Sequence, residues 1–165
     1  MTRIGIISDT HISEKRGKIH KKVFDCFSDV DLILHAGDIT HQKVLDELNK
    51  LAPVTAVKGN NDKFDLETVR CIQVHNFKIV LNHGTELSSD FNKLHKFGSD
   101  YGADILITGH THESHHRIMD DMLLVNPGTA RGANASIAIL IIDEEDKLIT
   151  DININYIELN GEIIW

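Results

Sequence analysis

Ile4-Gly5-Ile6-Ile7-Ser8-Asp9-Thr10-His11 runs from an apolar stretch the length of a buried strand straight into residue types that bind metals. The same change recurs four times further along. Residues 32–34 lead to Gly37-Asp38, residues 54–57 to Gly59-Asn60-Asn61-Asp62, residues 79–81 to Asn82-His83-Gly84, and residues 105–107 to Gly109-His110-Thr111-His112. In open α/β sheets ligands sit at the carboxyl ends of strands. Five strands ending this way on one rim would bring distant parts of the chain to one place, a place suited to holding metal.

The rest of the sequence is compatible with such a sheet. At 165 residues the chain fits a single domain, 1–165, burying roughly two-thirds or more of its unfolded surface. Aromatic residues are only 5%, so the core must rest on Ile, Leu and Val. The net charge is -8, and only Lys15-Arg16-Gly17-Lys18 and Lys21-Lys22 are locally basic. A polymeric nucleic acid needs a basic stripe to neutralise its phosphates, and none is visible, so polymeric DNA or RNA is not the expected substrate. Cys26 and Cys71 fall in apolar patterns and are expected to be small buried hydrophobes rather than a disulfide or thiolate ligands. Met1-Thr2-Arg3 leads directly into the first strand, and no apolar run is long enough for a membrane, so no membrane partner and a cytoplasmic location are expected.

Helical spacing of Ile19, Val23, Phe24 and Phe27 predicts a helix over 18–28. Thr40 is the expected N-cap of a second, with Val44, Leu45, Leu48 and Leu51 facing inward. Residues 69–74 and 77–81 read as a hairpin through His75-Asn76, with Asn tolerating a positive φ. Ser88-Ser89-Asp90 opens a third helix, carrying Phe91, Leu94 and Phe97, that Gly102 can close. Strands are expected at 103–108, 117–119, 123–125, 136–142 and 149–159. Strand-helix-strand units followed by a mostly antiparallel region imply α/β architecture: two sheets packed face to face with helices outside.

Alternate residues of a strand point the same way, so Asp9 and His11 can grip one ion together. His110 and His112 can do so if the chain stays extended there. Gly37, Gly59, Gly84 and Gly109 allow tight turns and close backbone approach around a crowded centre. Taken singly each cluster is an ordinary turn or strand end; all five together are not.

At these clusters the sequence resembles the calcineurin-like metallophosphoesterase superfamily, whose motif series is matched by Asp9-Thr10-His11, Gly37-Asp38, Gly59-Asn60-Asn61-Asp62, His83-Gly84 and Gly109-His110-Thr111-His112. Asn126-Pro127-Gly128 follows the last motif, and length and spacing resemble the small YfcE-like prokaryotic phosphodiesterases. The resemblance implies a four-layer αββα fold of two mixed sheets and a two-metal centre. One ion would take Asp9, His11, Asp38 and His112, the other Asp38, Asn60, His83 and His110, with Asp38 bridging. Oxygen and imidazole donors without thiolate suit Mn²⁺, Fe, Co²⁺, Ni²⁺ or Zn²⁺, with Mn²⁺ the first choice. Two divalent ions held by only two carboxylates leave a cationic pocket in an acidic chain, suited to a small phosphate ester such as a nucleotide derivative. The expected reaction is in-line hydrolysis of a small phosphodiester by a metal-bridging hydroxide.

Many family members carry His after the metal-binding Asn, where it binds phosphate and protonates the leaving group. Here Asn61 takes that catalytic and substrate-binding position; it donates a hydrogen bond but supplies no proton. Losing a general acid typically costs about 10²–10⁴ in rate. His41 is the substitute candidate, with a solvent-facing helix start as its alternative. Arg131 either reaches a substrate phosphate or decorates a surface loop. His35 is expected to be packed, and His115 and His116 carry no assigned role. Alternative functions are a phosphomonoesterase with the same centre and a non-catalytic scaffold like the retromer subunit of this fold, with a polynucleotide nuclease third. The apolar end Ile163-Ile164-Trp165 fits either a homo-oligomer contact or its own sheet.

Overall fold

A computed structural model describes residues 1–13 and 17–159; Lys15, Arg16 and Ile163-Ile164-Trp165 lie outside the described residues. Two five-stranded mixed sheets form the centre. The first has the order β10-β9-β1-β2-β3, from β1 (Thr2–Ile7), β2 (Leu32–His35), β3 (Val54–Ala56), β9 (Ser136–Ile142) and β10 (Asn153–Glu158). The second has the order β4-β5-β6-β8-β7, from β4 (Val69–Val74), β5 (Phe77–Asn82), β6 (Ile105–Ile107), β7 (His115–Met119) and β8 (Met122–Asn126). In the first sheet β1, β2 and β3 run parallel, as do β5, β6 and β8 in the second. β1, β2, β3, β5 and β6 deliver the five polar clusters to one rim, and the segment after β8 brings Arg131 against His11.

Strand alternation sorts the core into three layers. Ile4, Ile6 and Leu34 meet Ile79, Leu81, Ile105 and Ile107 between the sheets. Ile7, Ile33, Ile137 and Ile139 face the other way, against Val23 and Phe27 of α1 (Lys21–Cys26) and Val44, Leu45 and Leu48 of α2 (Gln42–Leu48). Val80, Leu106 and Leu124 pack under Leu94 of α3 (Phe91–Asp100). The result is the αββα arrangement. Covering both faces explains why the parallel strands read as unbroken apolar runs instead of alternating ones. Phe27 lies against Gly5, where a Cβ would meet the ring at 2.8 Å.

Several boundaries differ from expectation. The first helix begins at Lys21, because His20 Nδ1 accepts from the Lys22 amide and caps it; Lys18 and Ile19 precede it. The second is capped by His41, not Thr40, whose hydroxyl donates to Ile12 O while its amide donates to Asp62. Asp90 caps α3 as expected. In the β4–β5 hairpin the positive φ of 49° falls on His75, and Asn76 instead donates to the carbonyls of Glu144 and Asp146. Residues 149–151 form a 3₁₀ turn before β10. Both cysteines are free, but Cys71 is exposed on edge strand β4 and Cys26 half-buried, so neither is the fully buried hydrophobe expected. Among the described residues no helix is long and apolar enough to cross a membrane.

Candidate metal centre

The five clusters do meet, but by a different local geometry from strand alternation. Asp9 and His11 lie beyond the end of β1 with φ of 55° and 45°, and His110 and His112 lie beyond β6 with φ of 68° and 63°. Asp38 follows β2 with φ of 55°. Left-handed backbone at non-glycine residues costs roughly 1–3 kcal/mol each and persists where the surroundings over-determine it. The surroundings here are specific. Thr10, between Asp9 and His11, turns its hydroxyl to His35 Nε2 and Ile39 O, both at 3.2 Å. Thr111, between His110 and His112, accepts from Asn126 Nδ2 at 3.1 Å. Each Asp/His-Thr-His loop is thus pinned through its central threonine while its flanking residues reach the centre.

Asp9 Oδ1 lies 3.2 Å from His112 Nε2 and 3.5 Å from His11 Nε2. Asp38 Oδ2 lies 3.5 Å from His11 Nε2 and 3.4 Å from His83 Nε2. Donor atoms of Asp9, His11 and His112 all fall within 4.8 Å of one another, as do those of Asp9, Asp38 and His83. Asn60 Oδ1 is 3.0 Å from His83 Nε2, and the His110 ring stands edge-on to His83 at 5.1 Å between centroids. Asp9, Asp38 and His83 are buried, whereas the His112 side chain is 50% exposed, so the cluster opens to solvent on that side.

The donor set fits divalent cations. Asp9 Oδ1 and His11 Nε2 are buried and have no hydrogen-bond partner, a costly state for such groups that a cation would relieve. His83 donates from Nδ1 to Ala36 O at 2.7 Å, the carbonyl contact that orients a metal-ligating imidazole with Nε2 directed at the ion. Burial alone would raise the Asp38 carboxyl, but hydrogen bonds from His83 and Asn61 hold it well below the usual range. Burial likewise opposes ionisation of Asp9, outweighed by the neighbouring His11 imidazole, the Ser8 hydroxyl's hydrogen bond and the nearby His83 and His112. For His83 burial disfavours the imidazolium, yet Asp38 and the Ala36 carbonyl push its pKa above the ordinary value. Two ionised buried carboxylates thus already attract positive charge.

Four supporting residues were not assigned roles from sequence. Asp62 accepts from the amides of Gly59 (2.8 Å), Asp38 (3.0 Å) and Thr40 (2.7 Å), tying the second cluster to the third. Its place in the Gly59–Asp62 motif was the available signal. His35, buried as expected, accepts from Gly37 N at Nδ1 (3.2 Å) and so joins the first two clusters through Thr10. Ser8 donates to Asp9 Oδ2 at 2.6 Å, and Asn126 donates to Gly109 O at 2.9 Å. Gly59 and Gly109 are glycines by necessity: a Cβ would overlap Asp38 at the first and Ser8 at the second.

Asn61 is at the centre, but both its backbone N–H (2.9 Å) and its side-chain amide (2.7 Å) donate to Asp38. His41 Nδ1 accepts from Lys43 N at 3.1 Å as the α2 cap, which leaves the Nε2 edge for any other role. Arg131 donates to His11 O at 3.1 Å and lines a small cavity with it. His116 stacks on Tyr156, and His115 meets Phe91 edge-on.

An αββα sandwich with carboxylates and imidazoles gathered at strand ends defines a metallohydrolase-type site. The family follows from comparison: residues 2–147 match the calcineurin-like phosphoesterase superfamily domain, and the chain belongs to that family, by which it is a metal-dependent phosphoesterase. A probable metallophosphoesterase of Methanothermobacter thermautotrophicus is 44% identical, covering 86% of this chain and 87% of the relative. A phosphodiesterase of Methanocaldococcus jannaschii is 31% identical, covering 88% and 95%. Among solved structures, a Vps29 variant from Entamoeba histolytica is similar with a TM-score of 0.81 and 26% identity, covering 96% of this chain and 100% of that one.

Proposed function

We propose that this chain hydrolyses small phosphodiesters at a two-metal centre. Asp9, His11, Asp38 and His112 would hold one ion, and Asp38, Asn60, His83 and His110 the other. The observation that most supports this reading is the position of Asp38 Oδ2, 3.5 Å from His11 and 3.4 Å from His83, between the two histidine groups. Oxygen and imidazole donors suit Mn²⁺ first, then Fe, Co²⁺, Ni²⁺ or Zn²⁺. Such ions supply Lewis acidity and a nucleophile at neutral pH.

The chain's own residues have distinct tasks in this reading. Asn61 orients Asp38 and offers its amide to the substrate phosphate. Arg131, beside His11, neutralises a non-bridging oxygen. His41, through Nε2, donates a proton to alkoxide leaving groups. Displacement at phosphorus is in line and without a covalent enzyme intermediate, so a chirally labelled ester gives inversion. The deciding experiment compares bis(aryl) and mono(aryl) phosphates after Mn²⁺ reconstitution. Preference for the diester is expected; preference for the monoester would make the protein a phosphomonoesterase. The likeness to Vps29 favours a second reading, an interaction scaffold. Absence of hydrolysis across mono-, di- and cyclic phosphates, with metal demonstrably bound, would select it.

A further inference from the structure

A cleft of about 440 Å³ lies between α1 and α2, outside the metal centre. Its lining shares Lys18 and Ile19 with the small cavity beneath His11 and Arg131. The volume falls within the roughly 300–1,000 Å³ typical of small-molecule sites. Ile19, Phe24 and Val44 contribute an apolar floor that includes one aromatic ring. Lys18, Lys21 and Lys43 are exposed and line the same cleft. No ion pair joins any of the three to a described acidic residue. The one acid among the described residues lining the cleft, Glu47, is paired to Lys50 at 2.8 Å. In a chain of net charge -8, three such lysines around an apolar floor are complementary to an amphipathic anion.

We propose that this cleft holds the non-reacting arm of the phosphodiester, and that this arm is a nucleoside carrying a second phosphate. The base lies on the apolar floor against Phe24, and the second phosphate lies among Lys18, Lys21 and Lys43. The scissile phosphate is then directed toward His11 and Arg131. This inference rests on the phosphoesterase reading for its orientation, and its test separates the two.

The Mn²⁺-loaded protein is assayed with thymidine 5′-(p-nitrophenyl phosphate) and with the same ester bearing a 3′-phosphate. The 3′-phosphorylated ester is expected to show about tenfold higher kcat/KM, the scale of a few partly solvated ion pairs. That ratio shrinks with added salt. The triple variant Lys18→Gln, Lys21→Gln, Lys43→Gln should bring the ratio to about one, while Lys93→Gln on α3 preserves it. Calorimetry with thymidine 3′,5′-bisphosphate should show about tenfold weaker binding to the triple variant. Equal kcat/KM for the two esters, or equal bisphosphate affinity in wild type and triple variant, overturns the cleft assignment. Lysine-dependent bisphosphate binding without hydrolysis of either ester keeps the cleft and overturns the phosphoesterase reading.

Discussion

Asn61 clasps Asp38 at both oxygens, its backbone N–H on Oδ1 at 2.9 Å and its side-chain amide on Oδ2 at 2.7 Å. The residue at the position where the family resemblance leads us to expect a proton donor is therefore bonded to the central carboxylate. Replacing the amide by a carboxylate, Asn61→Asp, removes the donor and sets like charges together. Metal affinity should fall by about 10–100-fold, the usual cost of losing a group that orients a ligand. Titration of the metal-free protein with Mn²⁺ checks this.

The capping task of His41 and the proton-donor task proposed for it are separable. Asn is also a good N-cap, so His41→Asn retains the α2 cap while removing the only proton carrier at that position. Turnover of an alkyl diester relative to an aryl diester should fall by about 10², measured over a leaving-group series. His41→Ala should in addition cost about 1 kcal/mol in urea unfolding through loss of the cap.

Asp62 accepts three backbone amides across two loops. In Asp62→Asn the new NH₂ must face at least one of those donors. The unpaired amide should cost about 1–3 kcal/mol, read as a lower urea midpoint at unchanged m-value.

His35 predicts a pH dependence. Its complete burial pulls the imidazole pKa down from 6.5 to about 3. Above 6.5 it is neutral in both folded and unfolded chains. As pH falls below that value only the unfolded chain takes up the proton, so stability declines until about pH 3. His83 acts oppositely, since its raised pKa confers stability at low pH that is lost as pH rises through the folded value. Subtracting the His35→Gln curve from that of wild type, with a chelator present, isolates the first effect. The difference should amount to a few kcal/mol between those limits.

Metal addition should stabilise the fold by an amount that grows with the logarithm of the free metal concentration above its Kd. At a free Mn²⁺ concentration about 100 times the Kd the gain is about 2.7 kcal/mol, a rise in Tm of about 5–10 °C. Asp38→Asn keeps the shape but removes the charge shared between the two histidine groups, and should abolish most of that rise.

The parallel strands were legible because the sandwich and its outer helices cover both their faces, so that Ile, Leu and Val run nearly unbroken to a polar cluster. The helix starts were less so. Ile19 fits the spacing of Val23 and Phe27 yet packs from the loop before His20, and Thr40 has a capping side chain that Ile12 O claims first. The left-handed loops were hidden because their positive φ values fall on Asp9, His11, Asp38, His110 and His112, none of them glycine. Nothing local marks these turns; partners distant in sequence, such as His35 for Thr10 and Asn126 for Thr111, impose them. Identity of the ligand residue types was readable, while their support was not, because a buried hydrogen-bonding His or Asn looks the same in sequence as one that merely fills space.

Asp9, His11, Asp38 and Asn60 follow strands of one sheet, and His83, His110 and His112 follow strands of the other. Both candidate donor groups draw on the two halves of the sandwich, Asp9 and His11 with His112, and Asp9 and Asp38 with His83. An ion seated there would rivet the two layers at one rim, so that prising them apart from that edge would first require stripping its coordination shell. Catalytic readiness and mechanical closure of the fold would then be one event.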